Sequence, residues 1–382
     1  MSARRWVVLG NAENRRVTGF VAALHAAGQR VDVCPWLDFL RDPRALPSPD
    51  HAIFRIDALG ESAAVEQALL RLGRARAIAE GAWVADDAAI DALPGRFGAI
   101  LAPRQAHLGF GVALDWLDAA LQDRPGWLQL NPTATIRACF DKRVCLPLLE
   151  RHGVPIPPAF EPGDGDLPTP GDGLVIKLSS GSSASCLGTW RAGPLGPELF
   201  TSMERAPTGL YNSLRPRVYR GRAAAELIAL LLREGARVEH FIPKAEMDGQ
   251  NFDLRVLVVA GEPAFTVVRR SPHPITNLHL GGTRGDVERL ADIVPAAVLD
   301  RIPAAMRACA RALPALHLGV DVLVERDPAP GSPGLRVLEV NAFGDLLPNL
   351  TRVHQGRALS VYDWEIATVL GWDGGSLGPP LA

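Results

Sequence analysis

The chain has 382 residues, of which 47% are hydrophobic and 21% charged, a balance typical of a soluble globular enzyme with two or three domains. Its 40 Lys and Arg residues against 42 Asp and Glu residues give a formal net charge of −2, which excludes the overall basic charge of a nucleic-acid-binding protein. Five widely spaced cysteines without a Cys-x-x-Cys pair argue against a disulfide framework or a zinc site. The sequence also lacks an uncharged stretch of about 18 residues that could cross a membrane. We therefore expect a cytoplasmic protein without nucleic-acid or membrane partners.

The N-terminal part of the chain predicts a β-α-β arrangement. Residues 5–10 form a short apolar strand, residues 11–27 carry apolar side chains at helical spacing, and residues 31–35 form the next strand. A further helix is predicted at 62–82. This order is typical of a parallel sheet with crossover helices, so we predict a first α/β domain over residues 1–115.

The rest of the chain alternates predicted helices and strands with loops rich in Pro and Gly. The predicted helices cover residues 135–152, 224–234 and 295–314. The predicted strands cover residues 173–177, 238–242, 254–260, 263–269, 320–324 and 335–340. Gly261 and Glu262 stand between two of these strands and are typical of a tight hairpin turn.

Three oxygen-bearing side chains interrupt the apolar strands near the C-terminus. Asp321 lies on one strand, and Glu339 and Asn341 lie two residues apart on the next, so the latter two face the same side of the sheet. A buried charge is costly unless it is paired, whereas carboxylate and amide oxygens are suitable ligands for Mg²⁺. We therefore predict that these three residues form a metal site. The alternative is three solvated residues on an exposed strand face.

A lysine and a run of small residues follow one of the predicted strands. Lys177 ends the strand, and Ser180, Gly181 and Ser182 belong to the loop behind it, whose backbone N–H groups are able to cradle phosphates. The order differs from that of the P-loop motif, in which the lysine follows the glycines, and a flexible linker is the alternative. Lys142, early in a predicted helix, is a second candidate for phosphate binding, with a surface lysine as the alternative.

Charged residues also mark the two strands around the predicted hairpin turn. Asp253 and Arg255 share one strand face, Arg269 ends the partner strand, and Asn277 lies in the loop that follows. Beside a nucleotide, arginines clamp phosphate or carboxylate oxygens. Without a nucleotide, an arginine next to a carboxylate is a surface ion pair, and both interpretations stay open.

The order of these motifs resembles the ATP-grasp superfamily, in particular its RimK-like branch, and more distantly glutathione synthetase. The resemblance covers about residues 130–350. It rests on six segments in order: Asp141-Lys142 before a Val-Pro-Ile-Pro turn, Val175-Ile-Lys177 before the small-residue loop, Glu239-His-Phe-Ile242, Asp253-Leu-Arg255 with Arg269, Asn277-Leu-His-Leu-Gly-Gly282, and Gly319-Val-Asp321 with Leu338-Glu-Val-Asn341. There are departures, because Leu280 stands where the family has an arginine and the glycine-rich loop is serine-rich here.

The resemblance implies an α/β (α+β) ATP-grasp fold of two α+β subdomains, preceded by a Rossmann-like domain. It divides the chain into residues 1–115, residues 116–236 with the phosphate loop, and residues 237–382 with the metal site. ATP would bind between the two subdomains through Lys142, Lys177, Ser180, Gly181, Ser182, Glu239, Ile242 and Asp253. Mg²⁺ or Mn²⁺ would be held by Asp321, Glu339 and Asn341. The catalytic residues, facing the transferred phosphate or the acyl substrate, would be Arg255, Arg269 and Asn277.

The resemblance further implies an ATP-dependent carboxylate–amine or carboxylate–thiol ligase that forms an acyl phosphate and releases ADP and phosphate. Its partners would be ATP, a small-molecule or peptide carboxylate and a nucleophilic acceptor, and a homodimer is one possible assembly. Two alternatives remain: an ATP-grasp kinase for a small molecule, and a nucleotide-binding module without catalysis in a biosynthetic assembly. Candidates for the acceptor side, with surface salt bridges as the alternative, are Arg55, Asp57, Tyr211, Arg215 and Arg217.

Overall fold

The structure is a computed structural model that describes residues 5–161, 173–180, 186–344, 348–354 and 356–371. Within these residues the strands form three large sheets and one two-stranded hairpin. Of the helices in this part of the chain, none combines the length and the apolar character that a membrane crossing requires.

The N-terminal part of the chain alternates strands and helices. Its strands are β1 (Arg5–Leu9), β2 (Val31–Cys34), β3 (Ala52–Ile56), β4 (Ala99–Ile100) and β5 (Trp127–Gln129). Its helices are α1 (Arg15–Ala26), α2 (Trp36–Arg41), α3 (Ala63–Glu80), α4 (Asp87–Asp91), α5 (Pro103–Gln122), α6 (Thr133–Cys139) and α7 (Lys142–Arg151), with 3₁₀ turns at Pro43–Ala45 and Leu93–Gly95. The first sheet is parallel in the order β2-β1-β3-β5, which confirms the predicted β-α-β start.

One predicted helix of this region, 135–152, is two helices in the structure. Helix α6 ends at Cys139, and Asp141 takes an extended conformation as the N-cap of α7. Its side chain accepts a 3.0 Å hydrogen bond from the backbone N–H of Arg143, which is the usual way in which an aspartate starts a helix. Lys142 thereby becomes the first residue of α7.

Antiparallel pairing builds the second sheet. Its main elements are β6 (Leu174–Leu178), β7 (Leu187–Gly193), β8 (Gly196–Ala206), β9 (Gly209–Arg220), α8 (Gly221–Arg233) and β10 (Ala236–His240). The order is β10-β6-β7-β8-β9-β4, so the short strand β4 from the N-terminal part extends one edge. The sequence did not predict β9, because no residue of this strand is fully buried and it therefore lacks the alternation on which strand prediction depends.

The third sheet is also antiparallel, in the order β14-β13-β12-β15-β16, with β11 paired to β12. The remaining strands are β11 (Glu246–Met247), β12 (Gln250–Val259), β13 (Glu262–Ser271), β14 (Thr283–Gly285), β15 (His317–Val324), β16 (Leu335–Asn341), β17 (Thr351–His354) and β18 (Arg357–Ser360). The remaining helices are α9 (Leu290–Ile293), α10 (Ala296–Leu299), α11 (Arg301–Ala312) and α12 (Val361–Leu370), with a 3₁₀ turn at Leu278–Leu280. The helix predicted at 295–314 is divided at Asp300 between α10 and α11.

The apolar core follows this division into sheets. One large cluster joins the first sheet to the third, with Phe54 and Val256 among its members. The second sheet packs with α8 in a separate cluster that includes Ile176 and Leu227. The predicted domain boundaries at residues 115 and 236 fall inside α5 and at the start of β10, and the three-domain division stays a prediction.

Candidate functional site

A cleft that is open to solvent lies between the second and third sheets, and the space within it, solvent included, is about 820 Å³. In the second sheet, Glu239 on β10, Val175 on β6 and Thr189 on β7 are register neighbours and line the cleft in one row. The third sheet contributes side chains of β12, β13, β15 and β16, and the segment from Glu239 to Lys244 connects the two walls.

Eight of the residues predicted from the sequence line this cleft: Lys177, Glu239, Ile242, Asp253, Arg269, Asn277, Asp321 and Glu339. Lys142 and Arg255 touch the lining residues, because Nζ of Lys142 lies 3.4 Å from Oε1 of Glu339 and the guanidinium of Arg255 binds Asp321. Asn341 lies two residues beyond Glu339 on β16 and does not line the cleft. Ser180 follows β6 in a turn, while Gly181 and Ser182 lie outside the described residues.

Strand pairing brings the predicted metal ligands together. Asp321 on β15 is the register partner of Glu339 on β16, and Gly319 is the partner of Asn341, so all three side chains belong to one end of this strand pair. The amide nitrogen of Asn341 donates a 3.2 Å hydrogen bond to the carbonyl oxygen of Gly319, which fixes the orientation of the amide. No group of three or more His, Cys, Asp or Glu side chains suited to a metal occurs in the described part of the chain, so the two carboxylates would need the Asn341 amide as their third protein ligand.

Charges of opposite sign alternate across β13, β12 and β15. Asp253 is the register partner of Arg269, and Arg255 is the partner of Asp321. The guanidinium of Arg255 donates from Nε to Oδ1 of Asp321 and, at 3.1 Å, from Nη2 to Oδ2, and Nη2 of Arg269 lies 3.2 Å from the same Oδ1. The side chains of Arg255 and Asp321 are only 14% and 12% exposed, so this contact is not the surface ion pair considered from the sequence.

Asp253 is the buried centre of a second cluster. Its Oδ1 accepts a 2.8 Å hydrogen bond from Arg269, and its Oδ2 accepts from Nζ of Lys244 at 2.8 Å and from the hydroxyl of Thr276. Burial alone would raise the pKa of Asp253, but the charges of Arg269 and Lys244 outweigh it and lower this pKa to about 2. The carboxylate therefore holds two cations at the wall of the cleft.

Lys244 and Thr276 are site residues that the sequence did not reveal. Both line the cleft, and both are less than 10% exposed. Neither residue belongs to a sequence motif. Both are held in place by hydrogen bonds to Asp253 that form only in the folded chain. The one local signal is that Lys244 follows directly on the apolar segment Phe241-Ile-Pro243.

The two predicted phosphate-binding lysines lie close to β16, the strand that carries Glu339 and Asn341. Nζ of Lys177 lies 2.8 Å from Oε2 of Glu239 and donates a 3.1 Å hydrogen bond to the carbonyl oxygen of Leu338. Lys142 starts α7, and its backbone N–H donates to the carbonyl of Ser179, which fixes this helix end beside the loop after β6. Lys142 and Lys177 are thus brought close to neighbouring residues of β16.

Backbone groups of the connecting segment are partly engaged with the protein. The N–H groups of His240 and Phe241 donate to the carbonyls of Pro158 and Gly173 at 3.0 and 2.9 Å. Within the described residues, the N–H of Ile242 has no such acceptor, and it lies in the cleft lining. Thr189 on β7 also lines the cleft, and its buried hydroxyl has no hydrogen-bond partner among the described residues.

Two acceptor-side candidates from the sequence are inaccessible. Arg55 and Asp57 are each 1% exposed and pair with one another, with Nε of Arg55 3.2 Å from Oδ2 of Asp57. They are therefore neither surface salt bridges nor positioned to contact a substrate. Tyr211 and Arg217 lie on β9 outside the cleft lining, with Arg217 paired to Glu204.

No protein-family model and no curated protein sequence matches the chain. Among solved structures, it is similar to the ATP-grasp ligase PsnB complexed with a phosphomimetic variant of its minimal precursor, Mg and ADP, with 15% identity, a TM-score of 0.52, and 96% of this chain and 98% of that chain covered. PsnB complexed with the minimal precursor has a TM-score of 0.50 at 15% identity, with 96% and 99% covered. The chain has the ATP-grasp fold.

A further similar structure is the macrocyclase MdnC from Microcystis aeruginosa MRC bound with the precursor peptide MdnA, with a TM-score of 0.50, 13% identity, and 96% of this chain and 99% of that chain covered. At these identities the likeness concerns the fold. The ATP-grasp fold predicted from the sequence is thereby confirmed, and the RimK-like branch within it stays a prediction.

Proposed function

We propose that this protein is a ligase that uses ATP and Mg²⁺ to activate a carboxylate. The observation that carries the proposal is the convergence of two lysines and two carboxylates on one cleft. Lys142 from α7 and Lys177 from β6 approach β16 at Glu339 and Leu338, while Asp321 faces Glu339 from the neighbouring strand. Cations beside oxygen ligands for a metal are what binding of a metal–triphosphate complex requires.

ATP would lie in the cleft between the second and third sheets. Lys142 and Lys177 would bind its phosphates, together with the loop that contains Ser180. The N–H of Ile242 and the row formed by Glu239, Val175 and Thr189 would contact the nucleoside. Asp253 would act through Lys244 and Arg269, because its own oxygens are engaged by these cations.

The donor set of Asp321, Glu339 and Asn341 fits Mg²⁺ or Mn²⁺. A carboxylate has about four lone-pair sites, and the three contacts that Asp321 makes with Arg255 and Arg269 leave one for a metal ion. Glu339 has a 22% exposed side chain at the cleft, so it is accessible to an ion. When bound, the metal would neutralise phosphate charge and increase the electrophilicity of the transferred phosphorus.

The reaction we propose is transfer of the γ-phosphoryl group to a substrate carboxylate, followed by attack of an amine or a thiol on the acyl phosphate with loss of phosphate. Arg255 and Arg269 would stabilise the charge on the transferred group, because both guanidinium groups are held at the cleft by carboxylates. Asn277 lines the same region and would orient the acyl substrate. The protein itself supplies no nucleophile in this scheme, and its work is positioning and charge stabilisation.

We further propose that the carboxylate belongs to a peptide. PsnB and MdnC are complexed with a minimal precursor and a precursor peptide, and their similarity to this chain extends over nearly the full length of both. A small-molecule carboxylate is the alternative.

The test is ADP formation by the purified protein with ATP, Mg²⁺ and a panel of acidic peptides, amino acids and hydroxy acids, with mass spectrometry of each product. A condensed product lighter by one water than its precursors supports the ligase. A stable product that keeps the phosphoryl group would identify a kinase instead. Tight ATP binding without ADP formation on any carboxylate would contradict the ligase and favour a non-catalytic module.

A further inference from the structure

Buried polar contacts connect the first sheet to one end of the strand pair that carries the proposed metal ligands, the end at which β15 begins and β16 ends. Beyond its contact with Asp57, Arg55 donates from Nη1 to Oε2 of Glu365 on α12 at 2.6 Å. Oε1 of Glu365 lies 3.2 Å from Nδ1 of His317, which is the first residue of β15. The four residues are at most 2% exposed. The beginning of the strand that carries Asp321 is thereby tied to this buried cluster.

Arg16 extends the cluster to the other strand. From the first turn of α1 it donates from Nε to Oδ1 of Asp57 at 2.9 Å and from Nη2 to the carbonyl oxygen of Phe343. Phe343 is only two residues beyond Asn341, in the turn that leaves β16. Because the guanidinium is planar and rigid, its two contacts fix this turn relative to Asp57.

The same turn is packed closely against β15. Asn131, which follows β5, donates from its amide to the carbonyl of Ala342. A Cβ atom on Gly344, which has φ of 63°, would lie 3.1 Å from Cδ2 of His317, and one on Gly319 would lie 2.9 Å from the carbonyl oxygen of Gly344. The turn therefore has little room to shift without moving Gly319, the hydrogen-bond partner of Asn341.

We infer that Arg16 is a positioning residue for the metal site, which holds the end of β16 so that Asn341 and Glu339 face Asp321 in a geometry that binds the ion. The inference rests on the proposed function, because it presumes that a metal ion binds there. It gives the N-terminal part of the chain a role in metal binding, although that part contributes no ligand. Groups that orient metal ligands usually affect metal affinity strongly when they are removed.

The test compares ADP binding by calorimetry in Mn²⁺ and in EDTA for the wild type and the Arg16→Gln variant of the full chain. The ratio of the two dissociation constants measures how much the metal strengthens nucleotide binding. In Arg16→Gln we expect this ratio to fall by about 10- to 100-fold, while the dissociation constant in EDTA stays within about twofold. Arg5→Gln is the matched control, because Arg5 on β1 pairs with Asp32 on β2 through a side chain that is about half exposed, and its ratio should not change.

An unchanged ratio in Arg16→Gln overturns the inference, and so does an equal loss of ADP binding in Mn²⁺ and in EDTA, which would indicate general structural damage. If the glutamine variant does not fold, Arg16→Lys decides by the same two results, since a lysine keeps the charge beside Asp57 but lacks the fork that spans both acceptors. Failure of the proposed function has a different signature, because the wild type itself would then bind ADP equally well with and without Mn²⁺.

Discussion

Nζ of Lys177 on the second sheet donates a 3.1 Å hydrogen bond to the carbonyl oxygen of Leu338 on the third sheet. The same nitrogen lies 2.8 Å from Oε2 of Glu239, so one lysine with three donors spans the cleft. Leu338 directly precedes Glu339, and the ammonium group is therefore held next to a proposed metal ligand. Glu239 has a second cation, since Nε of Arg237 donates to its Oε1 at 2.9 Å.

Lys177→Met should weaken ATP binding by about 10- to 100-fold, because a charged hydrogen bond contributes about 1.5–3 kcal/mol. The control is Arg237→Met, which removes the other cation beside Glu239 but does not alter the cleft lining. We expect its dissociation constant for ATP to stay within about threefold of the wild type. Calorimetric titration with ATP measures the dissociation constant of each variant. Equal losses of ATP affinity in both variants would mean that Lys177 serves only to neutralise Glu239.

Glu339→Gln and Asn341→Ala should each abolish ADP formation while the melting curve stays close to that of the wild type. Both changes remove an oxygen ligand, or its charge, from a partly exposed position at the end of β16, so they disturb little packing. Glu262→Gln is a suitable control, because Glu262 lies on the same sheet with a 61% exposed side chain. Full activity in either site variant, with a normal melting curve, would refute the metal-site assignment.

The sequence predicted those parts of the fold and the site that leave a local pattern. Asp321 and Glu339 were recognisable because charge is rare within apolar strands such as β15, whose eight residues are all buried. The contact of Arg16 with Phe343 joins positions 327 residues apart, and no local pattern records it. Lys244 was missed because it belongs to no motif, and its role depends on its contact with Asp253, nine residues further along the chain. Strand β9 escaped prediction because it is half-exposed along its whole length and lacks the alternation of buried and exposed side chains.

Arg255→Ala should lower kcat/KM by on the order of 100-fold or more, since the guanidinium would stabilise charge at the reacting phosphoryl group. Arg255→Lys should recover only a small part of the activity, because a lysine lacks the fork that binds both oxygens of Asp321. The assay is ADP formation with the substrate identified in the screen, with ATP binding in EDTA as the control for folding. A nearly unchanged kcat/KM in Arg255→Ala would show that this ion pair is structural.

Asp253→Asn should remove one component of the acid sensitivity of the fold. Because the pKa of Asp253 is lowered from 3.8 to about 2, its ion pairs with Lys244 and Arg269 stabilise the protein above about pH 4, and this stability is lost as the pH falls through about 2. The ion pairs of Asp253 contribute about 2 kcal/mol to the free energy of unfolding in this upper pH range. The free energy of unfolding, measured in urea between pH 5 and pH 2, should therefore decrease by about 2 kcal/mol less in the variant than in the wild type. The pKa values of Asp57 and Glu365 are also lowered to about 2, so only the difference between the two proteins isolates Asp253. Parallel pH profiles would contradict the assignment of Asp253 as the charged centre that holds both cations at the cleft.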